Sequence, residues 1–133
     1  MIELVLPWPP SVNHYWRMWR GRMLISREGR TYREDVRALL AGGGFHKPPP
    51  GARIALCMDA FPPDRRRRDL DNLQKGVLDA LEHAGLYADD SQIDLLVTRR
   101  CRRVSGGTLI VCIGALPLRV CPICGAAVNP ENN

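Results

Sequence analysis

The residues best suited to chemistry lie in one twelve-residue segment, residues 64–75. Four consecutive arginines follow Asp64, namely Arg65, Arg66, Arg67 and Arg68. Two carboxylates come next, Asp69 and Asp71, and Lys75 lies four residues after the second. Carboxylates beside dense positive charge can hold Mg²⁺ against a phosphodiester while the guanidinium groups bind the neighbouring phosphates. The same pattern is also typical of a solvated basic loop followed by a helix with Asp in its first turn, so the segment alone leaves both interpretations open.

Two further features favour the metal-site interpretation. Lys75 lies one helical turn after Asp71 on the same face, where it could pair with that carboxylate or contact a phosphate. The pair Asp89-Asp90 offers a third carboxylate in a short loop. Mg²⁺ commonly binds one to three carboxylates and leaves positions for water and phosphate oxygens. Such a metal can generate a hydroxide nucleophile and neutralise charge on the attacked phosphate.

The helix that follows the arginines is the best-defined element in the sequence. It is predicted from Asp71 to a C-cap glycine at Gly85, and Asp71 and Gln74 have capping-box spacing. Its apolar stripe consists of Leu70, Leu73, Val77, Leu81 and Ala84. This helix therefore presents the carboxylates at its start and buries one face.

The remaining elements predict an α+β fold, a small mixed sheet of about four strands with two main helices. Strands are expected over residues 2–6, 52–60, 92–100 and 108–113, a brief one over 23–26, and the first main helix over 27–40. Gly106-Gly107 turns the chain into the final strand, and part of the sheet is expected to be a hairpin. Residues 11–21 mix aromatic and basic side chains without clean periodicity. Trp8, Trp16 and Trp19 could stack on bases, although core packing is the favoured role for Trp8.

Composition is that of a globular single domain, and a modest excess of positive charge favours a polyanionic partner. The chain has 133 residues, a net charge of +5 and a pI of about 9.3, and its hydrophobic content is 45%. The basic residues expected to contact DNA fall into clusters: Arg17 and Arg20, Arg65 to Arg68, and Lys75. They are mostly arginines, which suit bidentate contacts with phosphate.

Sequence features also exclude some classes. No run approaches the length of a membrane span, and the N-terminus lacks a signal-peptide pattern, so no membrane partner is expected. Five cysteines, three of them isolated in apolar or basic segments, argue against a disulfide framework. A reducing, cytoplasmic location is therefore predicted.

The order and spacing of several motifs resemble a known family. They are Leu6-Pro7-Trp8-Pro9-Pro10-Ser11 with Asn13, the segment 64–75, Asp79-Ala80-Leu81, Ala84-Gly85 and Asp89-Asp90. From about residue 4 to residue 113 the chain is similar to the RusA family of Holliday junction resolvases, which are homodimeric, Mg²⁺-dependent endonucleases of bacteria and their prophages. The resemblance implies that Asp69, Asp71 and Asp90 are catalytic and hold Mg²⁺, and that Lys75 is essential.

The resemblance also implies a function. It is that of a structure-selective endonuclease that resolves four-way DNA junctions by paired symmetric nicks in recombination and repair. A different class stays open, a non-catalytic basic DNA-binding or phage regulatory module that uses the same surface. Mg²⁺-dependent cleavage separates the two.

Helix length adds an expectation about assembly. The predicted helix separates Asp71 from Gly85 by roughly 20 Å, and Asp90 follows only five residues later. One chain would therefore have difficulty bringing Asp90 to Asp69 and Asp71. An antiparallel pairing of this helix across a two-fold axis removes the difficulty, so we expect a homodimer with two composite sites.

The C-terminal segment departs from the family pattern. Composition changes after Gly114, so residues 1–114 are predicted to form the RusA-like domain and residues 115–133 an appendage. Cys121 and Cys124 have the spacing of half a zinc knuckle, and a tetrahedral Zn²⁺ site needs two more ligands. Cys101 and Cys112 are candidates, as is the same pair from a second subunit. A truncated zinc ribbon that binds little metal is the alternative.

Overall fold

The computed structural model describes residues 1–128, which form a four-stranded sheet, a separate two-stranded sheet and three α-helices. The strands are β1 (Ile2–Pro7), β2 (Trp16–Trp19), β3 (Arg22–Ile25), β4 (Ile54–Phe61), β5 (Ile93–Arg100) and β6 (Thr108–Ala115). The helices are α1 (Val12–Tyr15), α2 (Arg27–Gly42) and α3 (Asp71–His83), and a 3₁₀ turn covers Asp90–Gln92. The predicted α+β class, with two main helices and a mixed four-stranded sheet, is confirmed. No helix in this range is long and apolar enough to cross a membrane.

The four-stranded sheet has the order β1-β6-β4-β5. Strands β4 and β5 are parallel and the other pairs are antiparallel, so α3 is the crossover between two parallel neighbours. Although Gly106-Gly107 turns the chain between β5 and β6, these strands do not pair, because β4 lies between them. The hairpin is instead formed by β2 and β3 in the two-stranded sheet.

The core lies between one face of the sheet and the two main helices. Helix α3 buries Leu73, Val77, Ala80 and Leu81, and α2 buries Tyr32 and Val36. Alternate strand residues, such as Leu56 and Met58 of β4, point to the same core. The predicted apolar stripe of α3 therefore packs where the sequence placed it, with its end positions half-buried.

The two ends of α3 differ from one another in how well the sequence predicted them. Gly85 has φ +78° just after the C-cap, and the Gly85 and Leu86 amides donate to the carbonyls of Glu82 and Leu81 at 2.8 and 3.1 Å, as expected for a C-cap glycine. The predicted capping box at Asp71 and Gln74 is wrong. Leu70 already has helical φ and ψ, so Asp71 lies inside the first turn. The side-chain amide of Gln74 donates instead to Thr98 Oγ1 at 2.9 Å.

The opposite face of the sheet is contacted by residues 116–128. Leu118 is buried, and the Leu116 amide donates to the carbonyl of Arg53 at 2.8 Å. Arg99 pairs with Asp59 at 2.7 Å on this face and donates through Nη1 to the Ile123 carbonyl at 3.4 Å. Strand β6 runs one residue beyond the predicted boundary, to Ala115, and the division of the chain after Gly114 stays a prediction.

Candidate active site

Among residues 1–128, the three predicted site carboxylates have no side-chain partner in the protein. Asp69 precedes the first turn of α3 and Asp71 opens it, while Asp90 opens the 3₁₀ turn before β5, and all three residues are exposed. Within residues 1–128 none of them forms an ion pair with the nearby basic side chains. Their oxygens are therefore available to a cation.

Four other aspartates form ion pairs with arginine. The pairs are Asp59 with Arg99, Asp64 with Arg68, Asp79 with Arg33 and Asp94 with Arg53. Unpaired carboxylates beside four consecutive arginines thus distinguish the start of α3 from these four paired sites.

The arginine run is not uniform in structure. Arg68 donates to Asp64 at 2.6 Å, its guanidinium lies 5.6 Å from the ring centre of Trp8, and its carbonyl accepts a hydrogen bond from Arg100. The Arg68 hydrogen bond and that from the Arg66 amide lower the pKa of Asp64 to about 2. Arg68 and Asp64 therefore fix the loop, whereas Arg65 and Arg67 are exposed and lack an ion pair in the described part of the chain.

Two cavities flank this loop. One, of about 320 Å³, is lined by Asp69, Asn72, His14 and the arginines from Arg66 to Arg68. The other, of about 310 Å³, shares Trp8 with it and is lined by Arg65, Arg100 and Arg103. The surface around the start of α3 is thus concave and rich in guanidinium groups, which suits a phosphate backbone.

Lys75 is held beside an aromatic ring rather than beside a carboxylate. Its Nζ lies 5.4 Å from the ring centre of Trp16, and no ion pair joins it to Asp71. Of the two roles predicted for Lys75, the helical pair with Asp71 is therefore not formed. The ammonium is therefore available to an anion.

A partly buried hydrogen-bond network supports the Trp16 ring. Arg33 binds Asp79 through two hydrogen bonds of 2.7 and 2.9 Å, and the Tyr15 hydroxyl donates to the same carboxylate at 2.5 Å. The Arg33 guanidinium lies 5.9 Å from the Trp16 ring centre, and burial followed by the Asp79 hydrogen bond raises the pKa of Tyr15. Because Asp79 is satisfied by Arg33, it does not compete for Lys75.

The β2–β3 hairpin lies next to this lysine. Its turn, Arg20-Gly21, has φ values of +48° and +72°, the pattern of a type I′ turn. Met18, Trp19 and Met23 are at least half exposed, and the Arg20 guanidinium lies 4.5 Å over the Trp19 ring. A cavity of about 290 Å³ separates the hairpin from Lys75, with Trp16 and Arg17 in its lining.

Sequence reasoning missed part of this arrangement. It did not identify Arg33, Asp79 or the Trp16 ring as supports of Lys75, because their proximity depends on the packing of α1, α2 and α3. It also predicted only the second strand of the hairpin, over residues 23–26, and missed the first. The one local signal was the Arg-Gly pair between two four-residue segments, since glycine readily adopts the positive φ that the turn requires.

Asp90 lies at the far end of α3 from the other two carboxylates. The Asp90 amide donates a hydrogen bond to the Glu82 carboxylate in the last turn of that helix. The 3₁₀ turn is fixed by a capping box, in which Asp89 accepts from the Ser91 amide at 2.8 Å. In the described residues no group of three or more His, Cys, Asp or Glu side chains is close enough to hold a metal ion. One chain thus brings Asp69 and Asp71 to one end of the helix and Asp90 to the other.

Comparison with known proteins gives a consistent result. Residues 7–113 match the family model described as endodeoxyribonuclease RusA. The chain is 46% identical over 95 residues to the crossover junction endodeoxyribonuclease rusA of Enterobacteria phage 82. This alignment covers 68% of this chain and 75% of the relative. The proteins of that name from Escherichia coli K12 and Enterobacteria phage HK97 are 44% and 43% identical over 95 and 110 residues. These alignments cover 68% and 80% of this chain and 75% and 88% of the relatives.

Proposed function

The chain belongs to the RusA family of endodeoxyribonucleases, and on this premise we propose that it resolves four-way DNA junctions by metal-dependent, paired symmetric nicks. Its relatives are named for the crossover junction as substrate, and the phage relatives fit an origin in a prophage. The observation that carries the proposal is the set of three exposed carboxylates without ion pairs, two of which lie in the most basic part of the chain.

Mg²⁺ is the metal that this donor set fits best. Carboxylate oxygens are hard ligands, and those of Asp69 and Asp71 are free of ion pairs beside exposed guanidinium groups. Asp69, Asp71 and Asp90 would hold the ion. When bound, Mg²⁺ supplies an activated water at neutral pH and positive charge for the phosphate oxygens.

The basic residues have separate roles in this proposal. Lys75, kept over the Trp16 ring and without a carboxylate partner, stabilises the charge that develops on the attacked phosphate or positions the water. Arg65, Arg66 and Arg67 bind phosphates on either side, and Arg17 and Arg20 extend that contact along the hairpin. Arg68 acts mainly by fixing the loop, because its guanidinium is engaged by Asp64 and Trp8.

The position of Asp90 supports a homodimer with composite sites. Because Asp90 lies at one end of α3 and Asp71 at the other, an antiparallel pairing of α3 across a two-fold axis would place each Asp90 beside the partner subunit's Asp69 and Asp71. Two such sites related by symmetry suit two symmetric nicks in a four-way junction.

Cleavage and binding should be measured on the same two DNAs, a four-way junction and a linear duplex of matched sequence. We expect cleavage of the junction in Mg²⁺, no cleavage in EDTA, and binding in both conditions. Asp71→Asn should abolish cleavage and retain binding, because it removes a ligand charge but no phosphate contact. A protein that bound the junction in EDTA and never cut it in Mg²⁺ would instead be a non-catalytic DNA-binding module.

A further inference from the structure

The segment around Cys121 and Cys124 forms a tight turn that brings two thiols together. Val120 and Ala127 pair as an antiparallel bridge, and the Cys121 amide donates to the Ala126 carbonyl at 2.7 Å. The Gly125 amide then donates back to the Cys121 carbonyl at 2.9 Å, and Gly125 has φ +73°. A positive φ directly after the second cysteine lets the chain reverse there, so both thiols project from one loop.

Several groups of this loop converge on the sulfur of the first cysteine. The Ile123 and Cys124 amides and the Cys124 thiol all lie within hydrogen-bonding reach of the Cys121 sulfur. The two thiols are therefore close enough to bind one metal ion, which is the arrangement that two cysteines separated by two residues provide in structural zinc sites.

The cysteines in and beside the sheet are less suited to bind a metal ion. Cys57, Cys101 and Cys112 are free, and burial raises the pKa of each. Cys112 Sγ is already within 3.9 Å of Glu3 Oε2. These thiols favour the protonated state and behave as small apolar side chains. Cys101 and Cys112, which the sequence offered as further ligands, are therefore poorer candidates than the loop pair.

The loop also faces outward. Cys124 is exposed, and the large apolar side chains of Val120 and Ile123 are 48% and 60% exposed beside it. Arg119 is the one charged residue between 116 and 128, so two copies of this segment would repel each other little. A thiol pair open to solvent and flanked by uncovered apolar groups fits an identical pair from another molecule.

We propose that Cys121 and Cys124 are half of a tetrahedral Zn²⁺ site, which is completed by the same two cysteines of a second copy of this chain. A structural zinc site takes four ligands, and among residues 1–128 no third His, Cys, Asp or Glu joins this pair. Two chains related by a two-fold axis supply four thiolates through one self-complementary surface. The zinc site itself is independent of the proposed nuclease function, and only the choice of the molecules that it joins rests on the proposed dimer.

The position of the loop decides which molecules the zinc joins. The loop lies against the sheet face that carries Asp59 and Arg99, whereas α3 packs on the other face. In a dimer that pairs through α3, the loop of each subunit would therefore lie on the face that points away from the other subunit. The shared zinc then connects one such dimer to another, rather than the two subunits within a dimer.

Zinc content and molecular mass of the full-length protein test this inference, with Zn²⁺ alone as the probe. We expect about half an ion per chain, and a native mass that falls at least twofold when a chelator removes the metal. Cys121→Ser should lose the zinc and have the smaller mass. Cys112→Ser is the matched control and should keep both the zinc and the larger mass.

Several outcomes would overturn the proposal. Protein without zinc, or zinc retained by both Cys121→Ser and Cys124→Ser, would show that the loop is no metal site. One ion per chain, or zinc lost from Cys112→Ser, would show that a single chain completes the coordination. Cleavage plays no part in these measurements, so failure here leaves the proposed nuclease function untouched.

Discussion

A mixture of two inactive variants, Asp71→Asn and Asp90→Asn, should regain DNA nicking. Helix α3 runs from Asp71 to His83, and its twelve steps of 1.5 Å separate those residues by about 18 Å. Oxygens that share one Mg²⁺ must each lie about 2.1 Å from it, so the gap is several times what a common ion allows. In a composite dimer, the heterodimer has one site with both substitutions and one site with neither. Random exchange makes about half of the dimers heterodimers, so about a quarter of the wild-type sites return.

The assay should follow each strand of a labelled four-way junction. Wild-type dimers cut two strands and release duplexes, whereas heterodimers with one intact site should cut one strand and leave a nicked junction. A mixture of Asp69→Asn and Asp71→Asn is the matched control, because both residues lie at the same end of α3 and every heterodimer site is then defective. One variant of each mixture should carry a short mass tag, so that native mass measurement can show that heterodimers form in both mixtures.

Two results would refute this reasoning. If heterodimers of Asp71→Asn and Asp90→Asn form and nick nothing, each chain completes its own site. If the control mixture recovers as much activity as the test mixture, recovery does not depend on the ends of α3.

Three other changes should give distinct results. Arg67→Ala should lower the log–log salt slope of junction binding by roughly one unit at an unchanged Tm, whereas Arg68→Ala should lower the Tm, because only Arg68 is tied to Asp64 and Trp8. Urea titration should show Gly29→Ala destabilised by about 1–3 kcal/mol, because its Cβ would lie 2.5 Å from the Tyr15 carbonyl oxygen. Gly42→Ala, in the same helix but facing open space, should be neutral or stabilised by up to about 1 kcal/mol. Burial raises the pKa of three tyrosines above the usual 10.0, namely Tyr15, Tyr32 and Tyr87. As pH rises, the unfolded chain releases these protons before the folded chain does. The contribution of the tyrosines to the free energy of unfolding should therefore be constant below pH 10 and fall above it, as denaturant titrations at stepped pH can show. An unchanged unfolding midpoint from pH 9 to 11 would contradict this.

The sequence predicted α3 and the position of its carboxylates well because the signals there are local. The apolar stripe through Leu73, Val77 and Leu81 has the helical period, and Gly85 marks the end through a backbone conformation that glycine readily adopts. The separation of Asp71 from Asp90 then follows from residue count alone. Whether a second chain closes that gap is a matter of assembly and stays a prediction.

The parts that the sequence did not predict depend on contacts between distant residues. No local sequence signal indicates that β4 lies between β5 and β6, or that Asp79 pairs with Arg33 rather than with Lys75. The arginine run shows the same limit. Its four letters are equivalent in sequence, and only the packing against Trp8 and Asp64 separates Arg68 from its neighbours.

The placement of the three tryptophans gives this protein built-in optical reporters. Each of the three indole rings in the chain has a basic side chain over it: Arg68 at Trp8, Lys75 at Trp16 and Arg20 at Trp19. A phosphate that draws one of these cations away, or a base that stacks on the exposed Trp19, changes the surroundings of that fluorophore. Intrinsic emission, with single tryptophan-to-phenylalanine changes to separate the contributions, can therefore follow the loop, the lysine and the hairpin one at a time without an added label.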